Sequence, residues 1–222
     1  MKTKMNLLAG LLILAGTIVN AQSKTSFGLR GGVNFYNITG KESDGDKLDG
    51  KLKTGFNLGV NAEIPIGIDF YIQPGVLYTS KGANDAFGTV NKVTVSYIEV
   101  PVNLLYKPEL GSGKIILGFG PYVAFGVGGR YKYDNGSDDL TVKFKNNITA
   151  AELIAGDHVY FKGLDAGANF LFGYEWINRF SVQLNAGLGL VKINPTLENE
   201  NPGKTSWKNT GFGLSLGYRL AK

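Results

Sequence analysis

From residue 55 to residue 64 the chain reads G-F-N-L-G-V-N-A-E-I, with apolar side chains at the even positions and Gly, Asn or Glu at the odd ones. Side chains alternate between the two faces of a strand, so this period-two pattern predicts a half-buried β-strand with one apolar face. Similar segments recur at 26–36, 53–64, 70–80, 92–107, 114–133, 165–176, 180–191 and 208–220, giving eight predicted strands. The intervals between them alternate in length. Residues 65–69, 108–113 and 177–179 are short, whereas 37–52, 81–91, 134–164 and 192–207 are long and polar. Short turns at one end and long loops at the other predict an eight-stranded antiparallel up-and-down transmembrane β-barrel, with the turns on the periplasmic side.

The phase of each strand assigns its faces. The first shows Phe27, Leu29, Val33 and Phe35 outward, the seventh Val182, Leu184, Leu188 and Leu190, and the eighth Phe212, Leu214, Leu216 and Tyr218. No charge interrupts the middle of these rows, as lipid contact requires. The same phase points Arg30, Glu63, Glu99, Asp165, Glu175 and Arg219 inward, as a charge network in the lumen. Isolated buried charges are costly, so these groups are expected to pair as a plug. A narrow channel with selectivity set by the acids is the alternative. Aromatic residues near the strand ends predict two interfacial girdles, with Phe27, Phe70, Tyr71, Tyr106, Tyr174, Trp176, Phe180 and Tyr218 at the turn end. Phe35, Tyr36, Tyr78, Tyr131 and Tyr133 are expected at the other. Pro101 and Pro121 fall inside strands, where a missing N–H predicts a bulge or kink.

Composition bears on export. Lys2 and Lys4, an apolar run from Leu7 to Val19 and the small residues ending at Ala21 predict a cleavable signal peptide, 1–21, ahead of a barrel domain, 22–222. Loss of the signal takes the formal charge from +5 to +3, because it removes those two lysines and no acid. So small a balance argues against a nucleic-acid partner. The chain has no cysteine, which excludes disulfides, thiolate metal sites and a cysteine nucleophile. Its 32 glycines are spread through the strands, where inward-facing ones would make room in a narrow lumen.

At Gln73-Pro74-Gly75-Val76-Leu77-Tyr78, Tyr97-Ile98-Glu99-Val100-Pro101-Val102, Gly118-Phe119-Gly120-Pro121-Tyr122 and Gly217-Tyr218-Arg219-Leu220 the chain resembles the PorT-like small outer-membrane β-barrel family. The resemblance implies an outer-membrane barrel in a family whose founding member serves type IX protein secretion. Where barrels recognised for membrane assembly typically end on an aromatic residue, this chain reads Leu220-Ala221-Lys222, so Tyr218 and Leu220 would carry such a signal.

Candidate chemistry is sparse. His158 is the single histidine, and with Asp157 or Asp165 it defines the one enzyme reading, a lipid-modifying barrel. Nothing nearby specifies a nucleophile, so a solvated loop histidine is the expectation. The acidic stretch 42–49 does not fit a twelve-residue calcium loop. The Gly-x-Gly pairs at 118, 187 and 211 do not continue to a dinucleotide motif and are explained by strand phase. The expected protein is therefore a non-enzymatic, monomeric outer-membrane barrel without cofactor or metal. It is embedded in outer-membrane lipid and meets a protein partner through its loops or periplasmic face.

Overall fold

The computed structural model describes residues 25–85, 90–133, 139–155, 158–198 and 203–220. The expected signal segment, Asp157 and the last two residues lie outside the described residues. The elements are β1 (Ser26–Lys41), β2 (Lys51–Pro65), β3 (Phe70–Asn84), β4 (Val90–Tyr106), β5 (Glu109–Leu110), β6 (Gly113–Tyr133) and β7 (Leu140–Phe144). They continue with β8 (Asn147–Ile148), α1 (Ala150–Ala155), β9 (His158–Phe161), β10 (Leu164–Trp176), β11 (Phe180–Gly189), β12 (Thr196–Leu197) and β13 (Ser206–Arg219).

Eight long strands close a ring in the order β1–β2–β3–β4–β6–β10–β11–β13 and back to β1, every pair antiparallel. Closure satisfies every strand edge, the condition for a sheet in lipid. Its exterior exposes Phe27, Leu29, Phe56, Leu58, Val60, Phe119, Phe170, Phe172, Leu214 and Leu216. Ring pairs bind neighbouring strands near the turns, with centroids 4.8 Å apart for both Phe70–Tyr106 and Phe180–Tyr218. Phe56–Tyr78 at 5.5 Å lies nearer the loop end. Three predicted girdle members depart from this pattern, Tyr131 by packing against the interior apolar core and two by strand phase. Tyr36 is buried and Tyr71 lines the lumen mouth, because each directly follows an outward Phe and strand phase sends it inside.

Of the bulge or kink expected at Pro101 and Pro121, no bulge is present. The β4–β6 register is unchanged across both, from Pro101↔Tyr122 to Leu104↔Phe119. Ladder pairing lapses at Val102 and Asn103, opposite Pro121 and Gly120, with no added residue. Bare Gly120 allows this, since a Cβ there would collide with the Val102 carbonyl oxygen. Irregularities fall instead between Ser96 and Tyr97, between Val90 and Lys92, and in β2–β3 between Leu52 and Asn57.

The long loops fold into a cap. β7 pairs with the protruding end of β6 and lies parallel to β9, while β12 lies parallel to β8. His158–Phe161 therefore does not extend the sixth barrel strand. It leaves the wall at Gly163, whose carbonyl accepts the Gly126 N–H (2.8 Å). Further backbone bonds from Lys162 N to Ile193 O and from Ile193 N to Trp207 O, both 2.8 Å, tie the last loop to the cap. Inside, Ile38, Ala83, Val93, Val95, Tyr97, Tyr122, Ala124, Val142, Phe161 and Ile193 form one apolar core beneath it.

Candidate functional site in the lumen and at its two ends

The inward rows build the lumen in layers. Nearest the turns, Glu63 of β2, Glu175 of β10 and Arg219 of β13 meet Lys107, the residue after β4. Lys107 Nζ lies 2.9 Å from Glu63 and 2.8 Å from Glu175. Arg219 pairs with Glu63, reaches to within 4.0 Å of Glu175 and donates to Asn61 at 2.9 Å. Gln73 donates (3.3 Å) to Glu63 Oε1, the oxygen that Arg219 also engages, and Asn103 donates to Gln73 (3.3 Å). Above them Leu105, Ile116 and Leu171 form a small apolar layer.

The second charged layer centres on Lys81 of β3. Its ammonium lies 2.8 Å from Glu99 of β4 and 3.1 Å from Asp165 of β10. The rings of Tyr36, Tyr97 and Tyr122 surround it, with centroids 5.2, 5.5 and 4.3 Å away. Asp165 also accepts from Asn209 (3.0 Å) and from the Tyr122 hydroxyl (3.3 Å), and Glu99 accepts from Asn169 (3.2 Å). Lys81 and Asp165 are both 0% exposed. So dry a layer holds only because every charge has a partner. Bare glycine makes room for its rings, for a Cβ at Gly187 would strike the Tyr36 hydroxyl.

Five of the six residues expected in the lumen network make ion pairs inside the barrel. Arg30 does not, among the described residues, and its Nε has no hydrogen-bond partner. Arg30 faces a water-sized cavity of about 30 Å³ whose other polar walls include Asn34, Asn57, Thr79, Glu99 and Asn185. Two pivotal cations lie outside the six expected residues: Lys81, in the expected loop 81–91, and Lys107, at the end of the expected strand 92–107. Strand phase alone would have found both, since each shares the parity of its strand's inward row. Lys53, also buried, donates to the Ser80 hydroxyl near the upper rim (3.2 Å).

The His158–Asp165 arrangement does not assemble, and Asp157 lies outside the described residues. Asp165 is locked inside on Lys81, whereas His158 lies on β9 opposite Thr141 of β7 with Nδ1 unpartnered. No group of three metal-ligating side chains occurs among the described residues.

A closed ring of strands, apolar outside and charge-paired inside, defines a class: the integral β-barrels of the outer membrane. The chain belongs to the outer membrane protein beta-barrel domain family, whose model matches residues 20–195. It is similar to the solved structure of Ail from Yersinia pestis (12% identity, 90% of this chain and 100% of that one, TM-score 0.41). Neisserial surface protein A (12%, 89% and 99%, TM-score 0.47) and OprG of Pseudomonas aeruginosa (11%, 90% and 98%, TM-score 0.43) are similar in the same way. No curated protein sequence matches.

Proposed function

We propose that this protein is a closed, non-enzymatic outer-membrane barrel that works by contact, through its structured cap or its periplasmic face, and not by conduction. The observation that carries the reading is the buried Lys81–Glu99–Asp165 layer beneath an apolar core. An ion crossing there would have to separate charges with no solvent to replace the lost partners. Reconstituted proteoliposomes should exclude arabinose as protein-free vesicles do, and porin-like swelling would overturn the reading. The separation of His158 from Asp165 supports the non-enzymatic assignment. An His158→Ala strain should keep an unchanged lipid A profile, and an altered profile would restore the enzyme.

The PorT-like motifs support a link to type IX protein secretion, and the N-terminal pattern supports export by a cleavable signal. Crosslinking in cells should then recover a secretion component with this barrel. Recovery of none would remove the link while leaving the closed barrel intact.

A further inference from the structure

At the turn end the lumen opens into a cavity of about 370 Å³, within the range of ordinary ligand sites. Its floor is the Glu63–Lys107–Glu175–Arg219 layer, in which both carboxylates are already occupied by cations. Arg219 is spent on this floor, with Nε 4.0 Å from Glu175 and its terminal nitrogens on Asn61 and Glu63. Basic capacity is left over beside it. Lys114 lies only at 3.7 Å from Asp69 and from Glu109. Arg179 makes no ion pair among the described residues, although the turn holds it in the left-handed region at φ 72°. The lining itself carries four cations against two carboxylates, with Asp69 and Glu109 beside Lys114 but outside the cavity wall.

The rest of the wall is Ser26 together with the largely apolar surfaces of Tyr71, Pro65 and Leu220. The turns that frame it carry bare hydrophobic tips, with Ile68 90% and Ile177 85% exposed. A cationic pocket with an apolar collar suits a ligand whose negative charge ends an apolar chain. We propose that the periplasmic mouth binds the C-terminal carboxylate of a peptide, with Arg179 and Lys114 on the carboxylate and the terminal apolar side chain against Tyr71 and Leu220. Position favours a peptide over a lipid headgroup. The floor of the cavity is built from inward-facing residues, so a headgroup tethered to tails outside the barrel would have to cross the rim to reach it. The two floor carboxylates also favour a monoanion over a phosphate dianion.

This site deepens the contact reading and rests on it, because a conducting lumen would have no floor. The test uses the full-length protein in lipid nanodiscs and a fluorescein-labelled Gly-Ser-Gly-Leu-Phe peptide, either with a free carboxylate or as its C-terminal amide. The acid should bind saturably and the amide about tenfold more weakly, the loss expected for a charge-assisted contact. Arg179→Gly, which suits the positive φ, and Lys114→Gln should each weaken the acid and leave the amide unchanged, with the barrel's heat-modifiable mobility preserved. Equal affinity of acid and amide, no saturable binding, or undiminished binding in both variants would overturn the site. Displacement of the probe by inorganic phosphate at lower concentration than by acetate would reassign it to a phosphate ligand and overturn the peptide proposal. Arabinose exclusion by the same preparation separates the outcomes: lost binding with exclusion intact refutes the site alone, whereas swelling refutes the closed barrel beneath it.

Discussion

Lys81 holds two carboxylates that share no other cation within ion-pair distance among the described residues. Lys81→Met keeps the length of the side chain and leaves Glu99 and Asp165 buried without a counter-charge. The expected loss is about 3–5 kcal/mol, read as a lower urea midpoint in vesicles. Adding Glu99→Gln and Asp165→Asn should recover much of that loss, because the cost lies in the stranded charge. A triple variant no more stable than Lys81→Met would contradict the pairing. Gly187→Ala forces a methyl against the Tyr36 hydroxyl and should cost about 1–3 kcal/mol by the same assay. Glu99 and Asp165 were legible in the sequence because their strands alternate cleanly. Lys81 was not, since Lys81-Gly82-Ala83-Asn84 looks like the start of a loop, while the structure carries β3 on to Asn84. Four inward acids against two arginines already signalled that cations were missing.

At the scale of elements, the eight barrel strands fall within a few residues of their predicted bounds, because lipid outside and a polar lumen inside impose period two on each. Leu214→Arg on the outer face of β13 should therefore cost about 2–4 kcal/mol in vesicle unfolding, and a negligible change would place that row out of lipid. The cap elements were not legible. β7, β8, α1 and β9 are short, β7 pairs with the end of β6 and with β9, and only β8 reaches a distant loop, so periodicity carries little signal there. α1 is started by a capping box, in which Glu152 N–H donates to the Thr149 hydroxyl (3.3 Å) and Thr149 N–H donates to the Glu152 carboxylate (3.1 Å). The Lys145 ammonium, and after it the Thr149 N–H, hold the Glu152 carboxyl below the usual carboxylate range. A depressed pKa adds stability above the unfolded value and loses it as pH falls through the folded one. Amide protection in α1 should thus persist from neutral pH to roughly the ordinary glutamate pKa near 4.3, and decline below it. Glu152→Gln should remove that pH dependence, and its persistence would assign the transition to another group.

The molecule as a whole combines two solvents' rules in one wall. At lipid depth the strands turn apolar side chains outward and keep charges inside. Toward the loops, the interior becomes the apolar core around Val95, Phe161 and Ile193, as in a water-soluble domain. The first rule was legible because it repeats in every strand. The second was hidden because the core draws on residues scattered from Ile38 to Ile193. The lumen is thus filled twice, by paired charge and by packed hydrocarbon. In planar-bilayer recording the purified wild-type protein should pass no steady single-channel current across the stable voltage range of the membrane. Reproducible open-channel steps that scale with salt concentration would contradict the filled lumen.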